Sequence, residues 1–242
     1  MIGARVRALL IVLALLIGAA IAVAVLGREH RDLQPRAPGE RPNLLLLTSL
    51  PLIFGEQFSL QGGGSPALSA LETRYRVVPI NVTSPADLAR GRLLLMAHPA
   101  AQPAEGLVAL DDWVRRGGHL LLLADPMLEW PSSRPLGDPL RPPPMFMDTG
   151  LLSHWGLRLD APDERGPALR KLGGYDVEAV SPGRLVGSCE IASDAVVARC
   201  RIGKGRAIVV ADADFLDTAR LGKPAKHNLE GLLGELAGLE GS

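Results

Sequence analysis

Aromatic side chains, cysteine and net charge are all scarce in this sequence of 242 residues. Aromatics make up 4%, only Cys189 and Cys200 are present, and 26 Lys+Arg cancel 26 Asp+Glu to zero. A neutral chain poor in aromatics lacks the basic excess that phosphate contacts demand and the stacking platforms that hold single strands, which excludes a nucleic-acid binder. Two thiols eleven positions apart, without neighbouring His or Cys, do not make a metal site. No repeat period organises the 20 prolines and 27 glycines, so collagen-like and solenoid readings fail. A nucleotide-binding motif is also missing: Gly62-Gly63-Gly64 precedes a helix but lacks the Lys-Ser/Thr of a phosphate-binding loop, and reads as a flexible loop.

What is present is apolar and unevenly spread. Hydrophobic residues make up 47%, and the length suits one domain of about 200 residues with an appendage, needing no metal or disulfide scaffold. Ala8 to Gly27 carries no charged residue, and about twenty such residues as a helix match the roughly 30 Å apolar core of a bilayer. Arg5 and Arg7 precede this run and would hold residues 1–7 in the cytoplasm, exporting the rest. Ala22-Val23-Ala24 also has the small-x-small form of a signal-peptidase site, so a cleaved signal peptide is the alternative. The composition, rich in Arg, Ala and Leu, points to a GC-rich bacterial genome. The expectation is therefore a single-pass protein of the bacterial inner membrane with its C-terminal domain in the periplasm. Residues 28–42, with Pro35, Pro38 and Pro42 among mixed charges, read as an extended tether.

From residue 43 onward, apolar runs alternate with capped helices. Strands are expected at 43–48, 75–80, 92–97, 119–124 and 207–211, and helices at 65–73, 84–88, 104–116 and 228–239. That order predicts a doubly wound α/β fold with a mostly parallel sheet. Residues 127–144 form a proline-rich loop, in which Trp130 and Met145-Phe146-Met147 offer either a docking surface or packing onto the domain. Residues 184–202 alternate about a Ser193-Asp194 turn and read as an added hairpin. If Ala192 and Val197 close it, Cys189 faces Cys200, and an oxidising compartment would let a disulfide form, contributing about 3 kcal/mol on the chain-entropy model. Two buried free thiols are the alternative.

The strand ends concentrate the chemistry. In open α/β sheets the ligand crevice lies at the carboxyl ends of the strands, and that edge collects His98, Asp125, Asp212 and Asp214. They form either a ligand or partner pocket, able in principle to hold a metal and activate water, or a set of turn and helix caps.

The stretch His98-Pro99, then Leu110-Asp111-Asp112-Trp113-Val114-Arg115-Arg116-Gly117-Gly118, then Leu120 to Pro126 resembles the GldG-like family of ABC-transporter auxiliary proteins. Leu151 to Leu157, Gly203 to Arg206, Asp212-Ala213-Asp214-Phe215-Leu216 and Asn228 continue the resemblance, which covers most of residues 43–240. It implies a flavodoxin-like sheet of the class I glutamine-amidotransferase type, without catalytic residues or cofactors. It also implies a non-enzymatic, membrane-anchored accessory or scaffold whose partners are ABC permease and ATPase subunits. An amidotransferase would place a nucleophilic Cys on a sharp turn after a central strand, whereas the turn here reads Ala97-His98-Pro99-Ala100-Ala101. The competing expectation is a periplasmic ligand-binding protein or metal-dependent hydrolase using the His/Asp pocket.

Overall fold

The leucine run Asn43–Thr48 forms strand β1, and its four leucines are buried, as a strand covered on both faces requires. β1 belongs to a computed structural model that describes residues 33–55, 64–222 and 225–241. The expected tail at 1–7, the expected membrane anchor at 8–27, the start of the tether and Gly62-Gly63 lie outside the described residues. The chain divides into two units, Met1–Leu33 and Gln34–Ser242, and the architecture is that of the second.

Helix α1 (Pro66–Glu72) starts where Ser65 Oγ accepts the Leu68 amide and Pro66 takes the first helical position. Strand β2 (Arg76–Pro79) follows, then α2 (Pro85–Leu88), capped by Ser84 in the same way, and β3 (Leu93–Ala97). Helix α3 (Ala104–Arg115) leads into β4 (His119–Leu123). After a long loop come α4 (Leu151–His154), β5 (Leu157–Asp160), β6 (Pro167–Leu172), β7 (Tyr175–Val180), β8 (Arg184–Gly187), β9 (Glu190–Ile191), β10 (Val197–Ile202) and β11 (Gly205–Val210). The short α5 (Thr218–Leu221) and α6 (Ala225–Glu240) close the chain.

The main sheet is open, in the order β2-β1-β3-β4-β11-β10-β9. Its first five members pair in parallel, while β10 and β9 are antiparallel additions. The mostly parallel α/β sheet expected from the alternating pattern is therefore present. α1 packs with α6, and α2 packs with α3. The chain runs from β1 outward to β2 and then back across to β3, so the strand order reverses between β1 and β3.

Two expectations need correction. Residues 184–202 are not one hairpin: β8 pairs with β5 in a separate two-stranded sheet, and only β9 continues beside β10. The Ser188 amide bonded to the Gly156 carbonyl at 3.0 Å draws the first arm toward β5. The tether also ends sooner than read. Pro38–Glu40 is a turn of 3-10 helix, and Arg36 holds Glu240 of α6 through two bonds of 2.9 and 3.0 Å. A second antiparallel pair, β6–β7, packs on α6 and has no counterpart in the sequence reading.

Candidate functional site

Each apolar strand ends in a polar residue because the chain must turn there and its amides need acceptors. At the end of β3, His98 adopts φ +45°, a left-handed conformation uncommon outside glycine, so the turn is sharp. Thr48 Oγ1 donates to the Ala97 carbonyl at 2.7 Å, and Ser49 Oγ donates to the His98 carbonyl. These bonds clip the end of β1 to the end of β3 at the point where the strand order reverses. The His98 imidazole is fully buried, and its Nε2–H donates to the Pro143 carbonyl at 2.8 Å. Burial lowers its pKa, and the neutral ring then carries its proton on Nε2, leaving Nδ1 unprotonated and without a hydrogen-bond partner among the described residues.

The three aspartates are likewise 0–1% exposed. Asp125 accepts the Met127 amide on Oδ1 and the Ala213 amide on Oδ2, both at 2.8 Å, tying the end of β4 to the end of β11. Asp212 accepts the Phe215 amide at 3.0 Å and the Val180 amide at 2.9 Å, tying β11 to β7. Asp214 accepts the Glu129 amide at 2.7 Å on Oδ2, while its buried Oδ1 has no hydrogen-bond partner among the described residues and lies 4.0 Å from the Arg220 guanidinium. Burial, reinforced by repulsion among the carboxylates, pushes Asp125 up to about 6, Asp214 up to about 7 and Asp212 well above the ordinary carboxylate range.

The sequence-predicted residues thus fall into two groups. Asp125, Asp212 and Asp214 form one cluster, and His98 sits apart under Pro143. Two further residues belong with the cluster, of which only Asn228 was named in the sequence, as part of the family resemblance: Ser181, at φ +50°, donates to Glu129 at 2.5 Å and accepts the Gly166 amide at 2.9 Å. Asn228 bonds to both main-chain groups of Glu178 and to the Phe215 carbonyl. Ser181 before Pro182 was a visible turn signal; Glu129 carried none. The long loop over this edge is itself held down, with the Phe146 amide on the Asp125 carbonyl at 2.6 Å. Trp130 is half-buried in it.

Chemically, the four side chains act as acceptors and donors for the protein's own backbone. Among the described residues no group of His, Cys, Asp or Glu is arranged to hold a metal ion. Cys189 and Cys200 are joined in a disulfide, in line with the β9–β10 register.

No family model and no curated protein matches the chain. Among solved structures it is similar to an exo-beta-1,4-mannosidase from Opitutaceae bacterium strain TAV5, at 14% identity and a TM-score of 0.49, covering 82% of this chain and 36% of that one. It is also similar to a beta-galactosidase from Bacillus circulans sp. alkalophilus, at 15% identity and a TM-score of 0.44, covering 86% and 32%. A protein of Salmonella typhimurium titled cytoplasmic, STM3548, matches at 10% identity and a TM-score of 0.48, covering 82% and 98%. The chain thus spans about a third of each glycosidase.

These findings correct the functional expectation. None of the structures named above is described as a transport component, and the reading as a membrane-anchored accessory of an ABC system is not carried further. Among the described residues no helix is long and apolar enough to cross a membrane; the expected anchor at 8–27 lies outside them, and the single-pass inner-membrane placement with a periplasmic domain is not carried further.

The opposite edge of the sheet differs in charge. Arg76 opens β2, Arg92 precedes β3, Arg201 lies near the end of β10, and Lys204 sits in the turn before β11. All four are exposed, and among the described residues no carboxylate pairs with them.

Proposed function

We propose that this chain is a non-catalytic α/β module on a flavodoxin- and amidotransferase-like scaffold, GldG-like in its sequence motifs, which binds a partner molecule rather than transforming one. One observation carries the reading: the crevice at the carboxyl ends of the strands is occupied by the chain itself, with His98 capped by Pro143 and the aspartates spent on main-chain amides. A hydrolytic carboxylate must reach a water or a substrate atom within hydrogen-bond distance, and these carboxylates are buried. A His on a sharp turn after β3 also lacks the Cys or Ser that nucleophilic chemistry on this scaffold needs.

The test is a turnover screen of the full-length chain on chromogenic esters, phosphate esters and glycosides. Rates indistinguishable from buffer are expected. A turnover that His98→Gln or Asp125→Asn removes, while the circular dichroism spectrum is unchanged, would overturn the reading.

A further inference from the structure

The small β5–β8 sheet is fastened to the main sheet near both ends of β8. Just before β8 begins, the Gly183 amide donates at 2.7 Å to the carbonyl of Ala211, the residue after β11. Just past its other end, Cys189 is bonded to Cys200 of β10. The two fastenings differ in kind, because the first is a main-chain hydrogen bond and the second is a covalent bond that an outside thiolate can exchange.

Cys200 is 4% exposed, whereas Cys189 is half-buried and lies between the exposed Ser188 and Glu190, at the margin where no strand of the main sheet stands beyond β9. The bond is therefore approached from the Cys189 side. Apart from it, β9 meets β10 at two register positions, Glu190 opposite Arg199 and Ile191 opposite Ala198, while β10 meets β11 at six. A fold protects a disulfide to the extent that it would hold the two thiols together unaided, and so short a strand holds them weakly. The reduced state also has a prepared partner. Cys189 Sγ lies 3.9 Å from the Trp155 carbonyl, an acceptor for the S–H that reduction creates. The Ser188 amide already donates to the adjoining Gly156 carbonyl at 3.0 Å, so Cys189 stays with the small sheet while Cys200 stays with β11.

We infer that Cys189–Cys200 is a redox switch, in which a dithiol reductant opens the bond at Cys189 and frees β9 and the end of β8 from the edge of the main sheet. One thiolate of the reductant attacks Cys189 Sγ and forms a mixed disulfide, while the electron pair of the old bond leaves on Cys200 Sγ, which takes up a proton. The second thiolate of the reductant then displaces Cys189 Sγ, which is protonated in turn. Two electrons and two protons pass to the chain, and the reductant is left with an internal disulfide. The parallel strands take no part, so the change is local. The switch shares no residue with the strand-end cluster, and it fails independently of the non-catalytic reading.

The experiment treats the folded full-length chain with millimolar dithiothreitol in the absence of denaturant, alkylates free thiols at intervals and reads the mass shift, with amide hydrogen exchange followed in parallel. Reduction within minutes is expected, with an unchanged circular dichroism spectrum. Amide protection should fall at least tenfold over residues 190–192 and stay as it was in β4 and β11, and the double variant Cys189→Ser, Cys200→Ser should show the same pattern. Single variants identify the attacked sulfur: oxidised glutathione should modify Cys200→Ser, which keeps Cys189, at least tenfold faster than Cys189→Ser. A bond that resists excess reductant until the chain is denatured, a loss of protection spread evenly over the main sheet, or equal modification of the two single variants overturns the inference.

Discussion

Asp214 holds one oxygen on the Glu129 amide and buries the other without a hydrogen-bond partner among the described residues. Its proton is therefore held to about 7, where an unfolded chain would release it near 3.8. Such a group stabilises the fold fully below the unfolded value, and the contribution is lost as pH rises through the folded one. His98 and His119, held neutral by burial, act in the opposite sense and weaken the fold as pH falls below about 6.5. The wild-type profile mixes both, so the difference between wild type and Asp214→Asn isolates the carboxyl. We expect urea midpoints to show wild type losing more stability than Asp214→Asn between pH 4 and pH 8; parallel profiles would contradict the assignment. These aspartates were legible as strand-end residues because each follows an apolar run. Their partners were not: Val180, Glu129 and Ala213 lie 32, 85 and 88 positions away from the aspartates they bond, distances over which no local pattern carries information.

Among the elements, α6 shows how tertiary contact reverses a propensity. A Cβ on Gly234 would stand 2.5 Å from the Gly173 carbonyl in the β6–β7 turn, whereas a Cβ on Gly238 would meet nothing within 4 Å. Alanine is the better helix former by about 1 kcal/mol at an unhindered site. Gly238→Ala should therefore raise the midpoint of denaturation and Gly234→Ala should lower it, although both make the same chemical change in one helix. Equal shifts would mean that the turn does not rest on α6 as described. The core strands were read to within two residues because they are continuous apolar runs; β6 and β7 were missed because each has a solvent-facing side and charged residues along it. A signal for that hairpin did exist. Gly173-Gly174 joins the two alternating runs, both glycines have positive φ, and Leu172 pairs directly with Tyr175, the pattern of a two-residue turn.

For the whole molecule, the neutral sum hides the arrangement of charge. Substituting Arg92 and Lys204 together by Gln should lower the salt needed to elute the full-length chain from a cation exchanger at pH 7. Substituting Arg158 and Arg184 by Gln removes the same charge from the small β5–β8 sheet and should lower it less. Equal effects would mean that only total charge matters. The α/β alternation, and with it the side of the sheet on which these cations lie, could be read from the sequence, because strand starts and strand ends of parallel strands share opposite edges. What closes the other edge could not, since the bond from His98 to Pro143 spans 45 positions and depends on a loop without regular structure.

The arginines and lysine at this edge of the sheet, without a carboxylate partner among the described residues, have one more consequence. In 0.1 M salt a charge is felt over only about 10 Å, so an approaching molecule responds to the nearest patch and not to the total. Seen from the strand starts this chain has the local potential of a cation, even though its isoelectric point is near 7.0. Encounter from that direction would be faster with anions than diffusion of a neutral body allows, and the advantage would fade as salt is added.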